Sequence, residues 1–277
     1  MTAIERTDET WNPIRASSHE HGNGWHCERV SRGCQNCYAE VINRDRFGTG
    51  LAYTRANRER VIISIWGTTL GAPLRWRKPR RIFVCSMTDL FGEWVPFELI
   101  DWVFAVMALA PQHTYQVLTK RPERMREYLV GRRDWAIPNL WLGVSVEDQV
   151  AAESRIPVLL DTPAAVRFLS CEPLLRPVDL RPWLPPALPA LDRAISGYRG
   201  PDIDWVIVGG ESGPGARPCN AEWVRGIARQ CRATGTAVFV KQLGAKPAGL
   251  IEGRLRHRKG ADPAEWPEDL RVREWPR

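Results

Sequence analysis

The chain has 277 residues, of which 44% are apolar and 26% charged, an ordinary globular composition that excludes a disordered or fibrous protein. Its longest apolar run, Trp102 to Ala110, is far shorter than the roughly 18 residues of a membrane helix. The polar stretch from Met1 to Thr10 does not read as a signal peptide, so the sequence predicts a soluble, cytoplasmic protein with no membrane partner.

A strand near Trp11 is expected to lead toward a cysteine-rich loop. Three of the seven cysteines, Cys27, Cys34 and Cys37, stand there in a C-x6-C-x2-C arrangement. In a cytosolic setting such crowding points to metal binding or redox chemistry more than to a disulfide framework. Thiolates are soft ligands that select iron–sulfur clusters, zinc or copper(I). Three cysteines can hold three irons of a cubane and leave the fourth iron open to a small chelating ligand. A structural zinc site needs a fourth ligand, for which His26 is the nearest histidine. The remaining alternative is three unmodified thiols in one loop.

The net charge of +7 is concentrated in the next segment. Between Arg44 and Arg81 there are ten Arg or Lys against Asp45 and Glu59, a net of +8. Arg55, Arg58, Arg60, Arg75, Arg77, Lys78 and Arg80 are the candidate polyanion-binding residues, with Trp66 and Trp76 as stacking platforms for a nucleic acid or nucleotide. The competing reading is a solvated face with a few ion pairs.

Six short apolar runs follow, each ending in a polar cluster: 81–86, 114–119, 140–145, 166–171, 204–209 and 237–241. Runs of this length rich in Val, Ile, Phe and Leu read as buried parallel strands. Between them, helices are expected over Phe97 to Ala110 (with Leu99, Val103, Val106 and Ala110 apolar), Arg121 to Val130, and Ala221 to Ala233, the last capped by Asn220 and stopped by Gly235. Alternating strands and helices predict a parallel α/β fold, a barrel or an open doubly wound sheet, with ligands at the carboxyl ends of the strands. The stretch 176–202, with six prolines, reads as a lid or an ordered excursion within a 1–243 domain. Residues 244–277 read as an appendage packed on it.

Several motifs carry a resemblance. Trp11-Asn12-Pro13 and Gly33-Cys34-x-x-Cys37-Tyr38-Ala39-Glu40 are followed by Ser86-Met-Thr-Asp-Leu-Phe91, Leu118-Thr-Lys-Arg-Pro122 and Leu142-Gly-Val-Ser-Val146. Then come Arg167-Phe-Leu-Ser-Cys-Glu-Pro-Leu174, Val208-Gly-Gly-Glu-Ser212 and Phe239-Val-Lys-Gln242. Over nearly the whole chain the sequence resembles the phage gene product thirty-seven/sixty-eight family, a three-Cys-motif domain of unknown function that looks like a divergent branch of radical S-adenosylmethionine (SAM) enzymes. The resemblance implies a partial or complete (β/α) barrel of radical SAM type, related to the TIM barrel. It implies a 4Fe-4S cluster on Cys27, Cys34 and Cys37, bound SAM, an electron donor, reductive cleavage of SAM and hydrogen abstraction from a substrate. It also suggests a phage setting and a three-Cys-motif partner protein. The first cysteine gap is six residues where radical SAM members use three; loop-closure entropy rises by only about 0.6 kcal/mol per doubling of length, so the longer gap is compatible with a cluster.

Candidate cofactor contacts then follow from position. Glu172 and Glu211 can accept hydrogen bonds from an ammonium group. Gly209 and Gly210 permit close backbone approach. Lys120, Arg121 and Lys241 suit a carboxylate or phosphate, and Tyr38, Ser86, Asp89 and Ser145 complete the set, the last three toward ribose hydroxyls. For each, a structural hydrogen bond or ion pair is an equal alternative. Cys171 is either a fourth ligand, a hydrogen donor or a core residue, and Cys85, Cys219 and Cys231 are assigned to packing. The alternative function is a zinc-stabilised nucleic-acid-binding protein without catalysis.

Overall fold

Strand β1 (Glu9–Trp11) is the element expected near Trp11, and it pairs in parallel with β5 (Arg81–Val84), setting Trp11 opposite Val84. In the computed structural model the described residues are 4–20, 22–132, 137–186, 202–213, 215–250 and 255–276. The chain divides into two compact units, Met1–Gly143 with Thr162–Ala165, and Val144–Asp161 with Val166–Arg277. Most of the proline-rich stretch, 187–201, lies outside the described residues.

In the first unit, β5 pairs in parallel with β6 (Thr114–Thr119). A second, antiparallel sheet has the order β3-β2-β4, from β2 (Ile14–Ser18), β3 (Gly22–Gly24) and β4 (Ile62–Ile65). Strand β2 alternates, with Ile14, Ala16 and Ser18 buried, as a half-buried strand must. The helices are α1 (Tyr38–Asp45), α2 (Gly67–Leu70), α3 (Ala72–Arg75), α4 (Phe97–Leu109) and α5 (Pro122–Val130). Helix α4 matches the expected span and buries Val103 and Val106, with Ala110 buried just beyond it, as read from the sequence; Ile100, Phe104 and Met107 widen the inward stripe, and Leu99 is only half-buried. A buried polar residue in β6, Gln116, is satisfied by the N-terminal segment: Arg6 Nη1 donates to its Oε1 at 2.9 Å, and its own amide donates to the Arg6 carbonyl.

Strand β7 (Leu140–Ser145) carries the division between the units. In the second unit, β8 (Val166–Cys171), β9 (Trp205–Gly209) and β11 (Ala237–Gln242) pair in parallel in the order β8-β9-β11. A short parallel pair, β10 (Cys219–Asn220) with β12 (Pro247–Ala248), stands apart. Helix α6 (Gln149–Leu160) starts at Asp148, whose side chain accepts from Ala151 N. Helix α7 (Ala221–Thr234) has the expected caps: Asn220 accepts from Glu222 N, and Gly235 sits in the left-handed region at φ 72°.

The strand order of the main sheet is β1-β5-β6-β7-β8-β9-β11. That order rises steadily along the chain, without the reversal that defines a doubly wound sheet. The fold is α/β, with a seven-stranded parallel sheet compatible with a partial (β/α) barrel. Among the described residues no helix is long and apolar enough to cross a membrane.

The core of the second unit centres on Trp205, fully buried on β9. Its ring lies 5.9 Å from Phe168, 6.1 Å from Phe239 and 4.9 Å from Trp275, and its Nε1 donates to the Glu274 carbonyl. Trp205→Ala is expected to remove about 3–5 kcal/mol of stability by leaving a cavity among these rings. Urea denaturation followed by tryptophan fluorescence and far-UV circular dichroism measures this loss.

Candidate functional site

The cysteine loop runs from β3 to α1. Cys34 closes a short 3-10 turn, with its sulfur 3.8 Å from Ser31 Oγ, and Cys37 is the N-cap residue of α1. Cys27 and Cys37 pack against one small apolar cluster of Trp25, Ala39, Tyr53 and Met87. All seven cysteines are free thiols, and the three in the loop are half-buried. Burial pushes the thiols of Cys27 and Cys37 above their ordinary range. Backbone N–H groups of Glu40 and Ala39 work the other way at Cys37, as does Arg121 at Cys27.

The loop is shaped by Asn43. Its Oδ1 accepts from Trp25 N (2.9 Å) and Thr49 N (3.2 Å), and its Nδ2 donates to Thr49 Oγ1 and to the Leu51 carbonyl. Gly24 and Gly48 close over this amide so tightly that a Cβ on either would lie about 2.5 Å from it. Asn12 plays a similar part at the end of β5, where its Oδ1 accepts from Ser86 Oγ and Met87 N.

Behind the loop lies a buried ion-pair network. Arg121, just past β6, donates from Nη1 to Asp89 Oδ2 (3.2 Å), from Nε to Glu93 Oε2 (2.9 Å) and from Nη2 to the Glu28 carbonyl (3.0 Å), with its guanidinium over Trp94. The Glu28 carbonyl lies 3.9 Å from Cys27 Sγ. Asp89 also accepts from Thr119 Oγ1 (2.7 Å), Lys120 N (3.0 Å) and Phe91 N (3.1 Å). Burial opposes the Arg121 charge, but Asp89, Cys27 and Glu93 hold its pKa above the ordinary value. Likewise, burial works against ionised Glu28, yet Arg58 and His26 keep its carboxyl below the usual range.

The residues singled out by sequence fall into three groups. In the first unit, Tyr38 donates its hydroxyl proton to the Ser86 carbonyl at 2.7 Å, on the same side as the cysteine loop, while Asp89 and Lys120 belong to the Arg121 network. His26 is buried against Trp94, with its Nε2 3.5 Å from Glu28.

In the second unit, Glu172 pairs with Lys241 at 3.0 Å. Glu211 is committed to Arg217, which donates to it from N, Nε and Nη2. Ser145 is buried, and its carbonyl accepts from Arg155, which also pairs with Glu147. Gly209 and Gly210 face their own chain: a Cβ would lie 2.7 Å from Glu172 Oε1 at the first and 2.4 Å from the Leu243 carbonyl oxygen at the second. Cys171 is fully buried, with its thiol pushed well up by desolvation.

The basic segment is the third group, and much of its charge is neutralised from outside. Arg58 pairs with Glu28, Arg60 with Glu20, Arg80 with Glu9 and Arg81 with Asp8. Arg75 donates to the Thr68 carbonyl. Among the described residues, Arg55, Arg77 and Lys78 are exposed and make no ion pair. The two tryptophans stack on arginines of their own chain: Trp66 shares Arg15 with Trp25, at 4.4 and 4.0 Å, and Trp76 carries Arg80 at 5.0 Å.

Three thiols on one loop, two of them (Cys27 and Cys37) against an apolar cluster, suit a soft metal or an iron–sulfur cluster by donor type. Among the described residues, no three Cys, His, Asp or Glu side chains are gathered as a ligand set. The protein thus combines a parallel α/β sheet with a thiol-bearing loop braced from behind by a buried Arg–Asp pair. The model of a family described as "Protein of unknown function (DUF5131)" matches residues 1–266, and the chain belongs to that family. Comparisons with curated proteins and with solved structures gave no match.

Replacing Asn43 with Ala strands the Trp25 and Thr49 amides and the Leu51 carbonyl. It should cost on the order of 3 kcal/mol and accelerate modification of the loop cysteines by a thiol reagent, read by denaturation and by labelling kinetics. Arg121→Met leaves Asp89 buried without its counter-charge and should cost about 3–5 kcal/mol. Adding Asp89→Asn should recover part of that loss, which a double-mutant cycle measures.

Proposed function

We propose that this protein is a radical SAM-like enzyme in which Cys27, Cys34 and Cys37 hold a 4Fe-4S cluster. The observation that carries the reading is the placement of three free, half-buried thiols on one loop, two of them against a common apolar cluster. When bound together with SAM, such a cluster supplies the electron for reductive cleavage of SAM and so starts hydrogen abstraction from a substrate; an external reductant protein supplies that electron.

The chain's own contribution is positional. Ligation needs thiolates, and burial favours thiols, so loading releases protons and is favoured by the N–H groups at Cys37 and the guanidinium of Arg121. Arg121 fixes the Glu28 carbonyl beside Cys27, and Asn43 fixes the backbone at Trp25, so both flanks of the first cysteine are held before loading. Trp25, Tyr53 and Met87 form an apolar wall against Cys27 and Cys37. Tyr38 and Ser86, joined by a hydrogen bond, offer polar edges for a cofactor on the loop's outer side. In the second unit each candidate acid already holds a cation, Glu172 with Lys241 and Glu211 with Arg217.

Anaerobic reconstitution with iron and sulfide tests the reading. Wild-type protein is expected to turn brown with about four irons per chain. Alanine at Cys27, Cys34 or Cys37 should abolish incorporation, and Cys231→Ala should leave it intact. The electron paramagnetic resonance spectrum of the reduced cluster should change on adding SAM. A cluster whose spectrum never responds to SAM overturns the enzyme assignment, and stoichiometric zinc in place of iron supports the zinc-stabilised nucleic-acid-binding alternative.

A further inference from the structure

The first unit contains a cavity of about 530 Å³ beside the cysteine loop. Its charged lining consists of Arg29, Arg55, Arg58 and Arg121 against Glu28 and Glu93, so four guanidiniums face two carboxylates. Three of these cations are partly committed: Arg29 grips Glu40 through two hydrogen bonds, Arg58 pairs with Glu28, and Arg121 is held by Asp89 and Glu93. Arg55 is different. It is exposed, and among the described residues it has no hydrogen bond or ion pair.

Arg55 and Arg58 lie three residues apart in a 3-10 turn, Arg55–Arg60, where side chains at i and i+3 eclipse, so both project from one face into the cavity. Arg58 spends only Nε on Glu28, at 2.5 Å, and its two Nη groups remain for another acceptor. Two neighbouring guanidinium edges form a fork suited to the oxygens of a phosphate, where a lysine pair would offer only point charges. The cavity is larger than a phosphate alone requires and lies in the range of nucleotide-sized ligands, with Tyr53 and Val30 as apolar walls.

We propose that this cavity binds a nucleoside 5′-phosphate, with Arg55 and the outer edge of Arg58 on the phosphate group and the nucleoside against Tyr53 and Val30. The proposal deepens the functional reading above, whose substrate it names as a class, and rests on that reading for its catalytic meaning. Binding itself needs no cluster. It follows that charge in this segment acts locally, through Arg55 and the free edge of Arg58, and not through the segment's full net charge.

The test is calorimetric titration of the full chain, purified without iron loading, at low ionic strength. The probes are adenosine 5′-monophosphate, inorganic phosphate and adenosine. Saturable binding of the monophosphate is expected, tighter than that of either phosphate or adenosine. Arg55→Ala should weaken it by about tenfold or more, the loss of a charge-assisted contact, without changing the circular dichroism spectrum, because Arg55 supports no other residue. Arg126→Ala, an exposed cation on α5 outside the cavity, should leave affinity unchanged. Absence of saturable binding, equal weakening by the two substitutions, or adenosine or phosphate binding as tightly as the monophosphate overturns the proposal. Because iron is absent throughout, these outcomes are independent of cluster loading: a failed reconstitution leaves the cavity result standing, and the reverse also holds.

Discussion

A single buried guanidinium ties the chemistry-bearing end of the first unit together. Arg121 reaches from the end of β6 to Asp89 past the end of β5, and to the backbone of Glu28 inside the cysteine loop. A charge taken out of water is tolerated only when it is paired and its remaining donors are satisfied. Each donor of Arg121 that is satisfied therefore fixes one more segment: Asp89 orders the turn through Phe91, Thr119 and Lys120, and Glu28 carries the order into the loop. Rigidity around Cys27 is thus built from electrostatics, whereas around Cys37 it comes from helix α1 and the Asn43 amide.

Charge in this protein is arranged by pairing at a distance in sequence. Glu9, Glu20 and Glu28 precede the arginines they neutralise by 30 to 71 positions. The more exposed of these, Glu9–Arg80 and Glu20–Arg60, add little stability, typically below about 1 kcal/mol each, and their main effect is to trim an apparent basic surface. What remains uncommitted is small in number and specific in place. The same economy governs the second unit, where Arg217 and Lys241 occupy carboxylates that, read alone, look available.

Much of the architecture was legible in the sequence because buried parallel strands have a strong local signature. Five of the six apolar runs begin at the first residue of the observed strand and the sixth begins one residue before it, at 204 against Trp205, and the caps Asn220 and Gly235 bound their helix as expected. Helix α6 was not anticipated: Pro157 interrupts the pattern and hides a helix that Asp148 caps. The antiparallel sheet around β2 was also missed, since Ile14, Ala16 and Ser18 are too short an alternation to stand out. At the site, residue types were readable and partners were not. Asn12, Asn43 and Glu28 carry no local signal beyond their neighbours, Trp11 and the cysteines, and their roles exist only through contacts made by folding. Gly209 and Gly210 were read as positions where a ligand approaches the backbone, and the atoms that crowd them here belong to Glu172 and Leu243 of their own chain.

The last described stretch of the chain has a consequence for solubility. Strand β11 ends the order of the main sheet, and a strand in that position offers a row of unpaired backbone groups to any passing chain. Here the residues around Arg273 bridge to Phe239 in antiparallel fashion: Val240 N donates to the Val272 carbonyl, and Glu274 N to the Val238 carbonyl. Arg273 adds its side chain to the carbonyls of Val240 and Lys241, and Trp275 stacks over Trp205. The segment works as a selvage, finishing the sheet so that it does not extend by recruiting a neighbour, and a chain cut before Val272 would present the bare margin of β11 to its own copies.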